Sequence, residues 1–168
     1  PAFSEPLNFI PGLLLYIAEM YCLLMLAISF FMLADPLKRS APKVRSLEEL
    51  PTIDVFIPTY NEDAELLAGT MAAAKSMIYP RDKLSIWLLD DGGTEAKRTH
   101  KEPTVALAAT RRHEQLKALC KAMGVNYHTR KKNDHAKAGN LNDGLRVSCA
   151  DLVVVFDADH APVREFLK

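Results

Sequence analysis

The sequence is poor in cysteine and has no excess of charge of either sign. Its 168 residues include three cysteines, Cys22, Cys120 and Cys149, which are far apart and form no CxxC pair. This spacing is typical of reduced thiols and argues against a disulfide framework. Lys plus Arg and Asp plus Glu both number 21, so the formal net charge is zero. A chain with that balance is not expected to bind nucleic acid across its whole surface.

Internal repeats, low-complexity tracts and a GxGxxG motif after the first predicted strand are also missing. The missing glycine motif argues against a dinucleotide-dependent dehydrogenase, because that class binds the cofactor's pyrophosphate on such a turn.

A long apolar run lies near the start of the chain. Residues 9–34 carry a single charge, Glu19, and a membrane-spanning helix needs about 20 mainly apolar residues. Basic residues follow the run: Lys38, Arg39, Lys43 and Arg45. The positive-inside rule therefore puts the C-terminal side in the cytoplasm. Because a lone charge in mid-membrane is costly, Glu19 predicts further helices around it. We expect residues 1–34 to form one transmembrane helix of a multi-pass protein; the alternative is a core helix of a soluble protein.

Residues 35–51 are predicted to be a cytoplasmic linker. Pro36, Pro42 and Pro51 would break any helix that continued into it, and Ser46 opens a Ser-Leu-Glu-Glu pattern typical of a short capped turn. The chain begins at Pro1 and stops just after its second acid cluster, so we expect it to be an internal piece of a longer protein.

Strand and helix patterns alternate in the remainder, residues 52–168. Apolar, β-branched runs predict strands at 53–58, 84–89, 125–129 and 152–156, and helical spacing predicts helices at 62–77, 104–123 and 135–148. Asn61 is a candidate cap for the first of these helices, and Gly124 ends the second. The alternation predicts an α/β fold with a mostly parallel sheet and flanking helices, in which ligands bind beyond the carboxyl ends of the strands.

Acidic residues directly follow two of the predicted strands. Asp90 and Asp91 come after the second strand, and Asp157 and Asp159 come after the fourth. Strands that apolar are expected to be buried, so the acids should emerge together at one edge of the sheet. In an extended segment the side chains of residues i and i+2 point the same way, so Asp157 and Asp159 can share a ligand. Their hard oxygens suit Mg²⁺ or Mn²⁺ bridging a diphosphate, with His160 as a third ligand or an acceptor-side contact.

Other residues at the same edge suit a nucleotide. Of Asp90 and Asp91, one carboxylate can accept the imide N–H of uracil and the other can approach a ribose or the metal. Lys137 lies at a helix start, where it can meet a diphosphate together with free backbone N–H groups. Tyr60 can stack on a base. Turn capping, a solvated loop and ordinary packing remain the alternative roles for these side chains.

Four segments carry a family resemblance: Phe-Ile-Pro-Thr-Tyr-Asn-Glu at 56–62, Asp-Asp-Gly-Gly at 90–93, Ala-Lys-Ala-Gly-Asn-Leu-Asn at 136–142 and Phe-Asp-Ala-Asp-His-Ala-Pro at 156–162. In this order they resemble the motifs of processive family 2 glycosyltransferases, bacterial cellulose synthase catalytic subunits most of all. The resemblance implies a GT-A (Rossmann-like) fold, with residues 52–168 as its N-terminal part. It also implies an inverting enzyme of the bacterial inner membrane, with a cytoplasmic catalytic domain, that transfers glucose from UDP-glucose to a β-1,4-glucan in cellulose synthesis.

The resemblance also assigns roles to residues. The donor-substrate residues would be Tyr60, Glu62, Asp90, Asp91, Lys137 and Asp157. Asp157 and Asp159 would hold Mg²⁺ or Mn²⁺, and His160 would lie on the acceptor side. No catalytic residue is expected in this chain, because the acid of the TED motif and the QxxRW motif lie past Lys168 in relatives. The chain alone is therefore expected to bind donor but not to catalyse transfer.

Implied partners are UDP-glucose, the glucan polymer, membrane lipid, a periplasmic subunit, and cyclic di-GMP through a domain absent from this sequence. Three alternatives stay open. One is another processive UDP-sugar synthase of the chitin or hyaluronan type. Another is a phosphohydrolase, because residues 153–159 also resemble the haloacid-dehalogenase motif in which the first Asp attacks phosphate. The third is a non-catalytic membrane module whose acids bind only ions.

Overall fold

A computed structural model describes residues 6–34 and 46–168. The chain forms two compact units, Pro1–Lys43 and Val44–Lys168. Most of the predicted linker, residues 35–45, lies outside the described residues. In its described part, Leu47–Glu49 form the expected short turn, a 3₁₀ helix for which the Ser46 side chain makes no capping hydrogen bond.

The first unit contains helix α1, Pro6–Ala34. Its large apolar side chains from Phe9 to Leu33 are exposed, and the 26 residues of Phe9–Ala34 are long and apolar enough to cross a membrane. At about 1.5 Å per residue this stretch exceeds the roughly 30 Å hydrocarbon core of a bilayer. By length and composition, this helix is a candidate membrane span.

The second unit is an α/β domain. Its strands are β1 (Ile53–Thr59), β2 (Leu84–Asp90), β3 (Asn126–His128) and β4 (Leu152–Val155). Within residues 46–168 they form one sheet in the order β3-β2-β1-β4, and every neighbouring pair is parallel. The helices are α2 (Ala64–Ser76), α3 (Glu95–Arg98), α4 (Pro103–Met123) and α5 (Ala136–Val147). The predicted parallel sheet with flanking helices is confirmed.

Helices cover both faces of β1, and all seven of its residues are buried. Val55 and Ile57 belong to a core cluster with side chains from α2 and α4. Phe56 points to the opposite face, where it closely approaches Gly144 of α5. Fully burying a side chain of this size stabilises the folded protein by roughly 1.5–3 kcal/mol. The apolar sequence of β1 therefore favours a central position in the sheet, with helices packed on both faces.

The prediction that β4 is buried is wrong. Leu152 and Val155 are 52% and 42% exposed, because β4 is an edge strand that pairs only with β1 in the described part of the chain. Asp151 sets the register of this pair: its carboxylate accepts hydrogen bonds from the N–H and the hydroxyl of Thr52, at 2.8 and 2.7 Å.

Two local predictions also need correction. Helix α2 begins after Asp63, two residues later than a cap at Asn61 would place it. The Glu62 carboxylate accepts the N–H groups of Tyr60 and Asn61, which holds both residues in a loop. The polar stretch after β2 contains the short helix α3, which the sequence pattern did not predict. Gly124 ends α4 as expected, in the left-handed conformation with φ of 63°.

Two helical glycines differ in the space around them and give a matched pair of variants. A Cβ on Gly69 in α2 would meet nothing within 4 Å, whereas one on Gly144 in α5 would lie 2.9 Å from Leu89 Cδ1 and 3.0 Å from Phe56 Cε2. Gly69→Ala is expected to stabilise the protein by about 0.5–1 kcal/mol, because alanine loses less backbone entropy in a helix. Gly144→Ala has the same helix-propensity gain but a crowded site, so urea denaturation should show no such gain. Equal changes in unfolding free energy for the two substitutions would contradict the close packing of α5 at Gly144.

The three cysteines are all free, as the sequence predicted, but they differ in accessibility. Cys120 is 1% exposed, and burial, with the charge of Asp90, raises the pKa of its thiol to about 11. Cys149 is exposed. Alkylation at pH 8, followed by peptide mass spectrometry, is therefore expected to label Cys149 at least about a hundredfold faster than Cys120 until urea unfolds the chain. Comparable rates in the folded protein would contradict the burial of Cys120.

Candidate functional site

One cavity lies at the carboxyl edge of the sheet and has a volume of about 660 Å³. It is lined by the segments that follow β1, β2 and β4 and by the first turns of α5. The predicted site residues on its wall are Tyr60, Glu62, Asp91, Lys137, Asp157 and Asp159. The structure thus brings together six of the predicted side chains, although they lie as much as 99 positions apart in the chain. Asp90 and His160 do not line it.

Glu62 organises the loop after β1. Its Oε2 atom accepts hydrogen bonds from the Thr59 hydroxyl at 2.7 Å, the Tyr60 N–H at 2.7 Å and the Asn61 N–H at 3.1 Å. Burial acts to raise the pKa of Glu62, but these hydrogen bonds outweigh it, so the pKa lies below its ordinary value. Glu62 is therefore a fixed negative group on the cavity wall.

Tyr60 is 44% exposed, and one face of its ring is already in contact with a cation. Lys97 Nζ lies 3.6 Å from the ring centroid. A planar base could therefore stack on the other face while Lys97 stays in place.

Asp90 lies behind the cavity and is fully buried. Its carboxylate accepts the backbone N–H groups of Gly92 and Gly93, Arg112 Nε at 3.1 Å and the Tyr127 hydroxyl at 2.8 Å. Both oxygens are thereby occupied, so Asp90 anchors the turn after β2 instead of presenting a free carboxylate to a ligand. The prediction that Asp90 touches the nucleotide does not match this position.

Arg112, from α4, joins two of the predicted motifs. Besides Asp90, it donates to the Glu62 carbonyl oxygen and to the Thr59 hydroxyl, each at 2.8 Å. A Cβ on Gly92 would lie 2.1 Å from the Tyr60 carbonyl oxygen and 2.4 Å from Arg112 Nε, so only glycine fits there. Sequence reasoning missed Arg112, because its partners are 22 to 53 positions away and no local motif marks it.

Asp91 faces the cavity but is paired on its other side. Arg130, which follows β3, holds it with two parallel bonds of 2.7 Å, from Nε to Oδ1 and from Nη2 to Oδ2. The hydrogen bond to Asp91 is the main reason that the pKa of Arg130 is raised. Two parallel bonds of this kind fix the orientation of a buried carboxylate.

Lys137 lies in the first turn of α5, and its ammonium group donates to Asp157 Oδ1. This hydrogen bond, with the lysine charge, lowers the pKa of Asp157. Both side chains are about half exposed, so the pair can separate without leaving a buried charge. The structure thus brings the predicted diphosphate contact next to a predicted metal ligand.

The Asp157–Asp159 segment is not extended, contrary to the prediction. It is a turn closed by the His160 N–H, which donates to the Asp157 carbonyl oxygen at 2.9 Å. The buried Thr70 hydroxyl of α2 donates to the Ala158 carbonyl oxygen at 2.6 Å and holds the turn from below. Both carboxylates still line the cavity, because the turn as a whole projects from the edge of the sheet.

The donor set at this turn fits a divalent cation. Within residues 6–34 and 46–168, no three His, Cys, Asp or Glu side chains are grouped to hold a metal ion. Asp157 and Asp159 offer two accessible carboxylates beside a cavity large enough for phosphate and water ligands. One or two carboxylates with substrate phosphates and water are how Mg²⁺ is commonly bound. His160 lies 3.9 Å from an Asp157 oxygen and 3.8 Å from an Asp159 oxygen, and its side chain is 69% exposed.

A second cavity, of about 690 Å³, lies beside Arg130 and is mainly lined by charged side chains. They include Lys131, Lys132, Asp134, Asp143 and Arg146. None of the predicted site residues lines it.

Residues 54–168 match the family model described as glycosyl transferase family 2, and the chain belongs to that family. It is similar to the cellulose synthase catalytic subunit [UDP-forming] of Pseudomonas fluorescens (strain SBW25), with 40% identity over 90% of this chain and 18% of the relative. It is 38% identical to the subunit of the same name from Xanthomonas axonopodis pv. citri (strain 306), over 98% of this chain and 20% of the relative. The chain therefore spans about a fifth of the length of these relatives.

Among solved structures, the chain resembles the mannosyltransferase PcManGT from Pyrobaculum calidifontis, solved in complex with GDP-Man and Mn²⁺. The TM-score is 0.51 at 27% identity, covering 82% of this chain and 34% of that chain. The predicted GT-A fold and the resemblance to bacterial cellulose synthase catalytic subunits are confirmed. Family membership also favours the glycosyltransferase interpretation over the phosphohydrolase one.

Proposed function

We propose that this chain carries the donor-binding part of a membrane-bound, inverting, UDP-forming glycosyltransferase of the cellulose synthase type. In this role it would bind UDP-glucose during the transfer of glucose to a growing β-1,4-glucan. The observation that carries the proposal is the convergence of Tyr60, Glu62, Asp91, Lys137 and the Asp157–Asp159 turn on one 660 Å³ cavity. The similarity to the two UDP-forming relatives supports it.

Each residue has a role in this account. Tyr60 and Asp91 bind the nucleoside, Glu62 keeps the loop after β1 in shape, and Lys137 binds the diphosphate with the free N–H groups that begin α5. Asp157 and Asp159 hold Mg²⁺ or Mn²⁺. Asp90 acts from behind the cavity by fixing the turn that presents Asp91. His160, outside the cavity wall, is free to face an acceptor.

The chemistry follows from these charges. Bound at Asp157 and Asp159, the cation would supply positive charge to the departing diphosphate. Lys137, paired with Asp157 in the nucleotide-free protein, would then turn to a phosphate oxygen. The walls formed by Tyr60, Glu62 and Asp91 would orient the UDP moiety so that the sugar points outward toward the acceptor. The general base is expected in a part of the enzyme that this chain does not contain.

The membrane role is part of the same proposal. Helix α1 would span the bacterial inner membrane, residues 35–51 would connect it to the catalytic domain, and residues 52–168 would begin that domain on the cytoplasmic side. Further transmembrane helices, a periplasmic partner subunit and control by cyclic di-GMP would belong to the complete enzyme.

Calorimetric titration of the whole chain in detergent tests the donor site. UDP is expected to bind in the presence of Mg²⁺ or Mn²⁺ and at least about tenfold more weakly with EDTA, with GDP and ADP as matched nucleotide controls. UDP-glucose and UDP-N-acetylglucosamine titrated in parallel compare the cellulose-type with the chitin- and hyaluronan-type alternatives. A folded chain that binds metal ions but no UDP would contradict the proposal and support the ion-binding module.

A further inference from the structure

Arg130 joins two parts of the candidate site that are distant in sequence. Its side chain is only 9% exposed. Beyond its paired bonds to Asp91, Nη1 donates to the Asp134 carbonyl oxygen at 2.6 Å and Nη2 donates to the Ala136 carbonyl oxygen at 3.0 Å. One guanidinium group therefore connects the turn after β2 with the segment that begins α5.

The segment that Arg130 holds has an unfavourable backbone. His135 and Ala136 have φ of 60° and 45°, in the left-handed region that non-glycine residues rarely adopt. The two carbonyl groups that Arg130 binds lie on either side of this bend. A neighbouring constraint agrees with this: a Cβ on Gly139 would lie 2.1 Å from the Asp134 carbonyl oxygen and 2.6 Å from Arg130 Nη1. Such a conformation persists only where surrounding contacts enforce it.

Lys137 directly follows this bend, so the bend decides where its side chain begins. We propose that Arg130 is a positioning residue of the donor site, which fixes the start of α5 against Asp91 so that Lys137 reaches Asp157 and the diphosphate. The inference rests on the proposed function, because it gives Lys137 a diphosphate to bind. It assigns a role to a residue outside the four signature segments.

Arg130→Lys separates this role from simple pairing with Asp91. Lysine keeps a positive charge beside the Asp91 carboxylate, but it lacks the planar fork that reaches Asp91 and both carbonyl groups together. Because the positive charge beside Asp91 is kept, this variant is expected to fold. Arg130→Gln removes the charge as well and serves as the second, more severe variant. Lys132→Gln, an exposed neighbour, is the matched control.

A double-mutant cycle with Lys137→Met tests whether Arg130 acts through Lys137. Arg130→Lys is expected to weaken Mg²⁺–UDP binding about tenfold, and the double variant should bind no more weakly than Lys137→Met alone. Lys132→Gln should stay within about twofold of the original chain. If the affinity losses of the two single variants multiply in the double variant, Arg130 acts independently of Lys137, and the inference is overturned.

Amide hydrogen exchange without nucleotide gives a readout that does not depend on the proposed function. Arg130→Lys should speed exchange in residues 136–141 while β1 and β2 keep their protection. If exchange does not change in 136–141, or rises equally throughout the domain, the inference fails. If the original chain binds no UDP, the proposed function fails, and the exchange pattern still decides whether Arg130 fixes this segment.

Discussion

Replacing Asp157 by Asn is expected to weaken UDP binding in the presence of Mg²⁺ by about tenfold or more, toward the affinity measured with EDTA, while leaving the weak metal-free binding almost unchanged. The substitution removes a carboxylate that is accessible on the cavity wall and paired with Lys137, without changing its size. A neutral amide holds a hard divalent cation less well than a carboxylate, so the loss should appear only when the metal is present.

Calorimetric titration with and without EDTA measures this effect. Asp159→Asn should behave in the same direction, because its side chain lines the same cavity. Asp82→Asn, an exposed aspartate before β2, is the matched control and should change the affinity less than twofold. If the Asp157→Asn variant keeps its full metal-dependent affinity for UDP, Asp157 is not part of the metal site.

Replacing Asp90 by Asn is expected to cost about 3–5 kcal/mol of unfolding free energy, the second large effect. Asp90 is fully buried and is the carboxylate partner of Arg112. Asparagine would leave the guanidinium charge without its counter-charge and would replace one acceptor oxygen by a donor. Tyr127 would be affected too, since its hydroxyl donates to Asp90 Oδ2 at 2.8 Å and its pKa is raised, first by burial and then by Asp90.

Urea denaturation measures this cost, with Asp82→Asn again as the surface control. A change below about 0.5 kcal/mol, together with a large loss of UDP affinity in the folded protein, would contradict the anchoring role. That result would instead support the sequence-based prediction that Asp90 touches the nucleotide.

The grouping of the candidate site's side chains at one edge of the sheet could be predicted from the sequence, because it depends on a general property of parallel sheets. The segments after β1, β2 and β4 had to meet at one edge, and the helix pattern after residue 135 put Lys137 at the same edge. The apolar runs also predicted the strands to within two residues at each end, since periodicity and β-branched composition are local signals.

The supporting contacts could not be predicted in this way. Arg112 and Arg130 bind Asp90 and Asp91 from 22 and 39 positions away, and such pairings depend on strand register and helix placement. Nothing in the sequence near Arg130 separates it from Lys131 and Lys132, which are exposed. Likewise, the buried position of Asp90 depends on contacts with Tyr127 and Arg112 from other elements. The pattern of adjacent acids therefore suggested two ligand contacts, whereas the structure places only Asp91 on the cavity wall.

The backbone conformation of the Asp157–Asp159 turn was mispredicted for a different reason. A prediction from strand periodicity extended the regular backbone past the end of β4, whereas the Thr70 hydroxyl and the His160 N–H fold the segment back on itself. Both carboxylates still line the cavity, so the metal site stays a prediction, but the geometric reason given for it was wrong.

A crystal structure of the chain with UDP and Mn²⁺ tests the proposed donor site directly, because manganese is located independently by its anomalous scattering. We expect UDP in the 660 Å³ cavity, with Lys137 near the diphosphate. The anomalous peak should lie about 2 Å from carboxylate oxygens of Asp157 or Asp159. Nucleotide bound in the charged cavity beside Arg130, or manganese bound away from both aspartates, would contradict the proposed donor site.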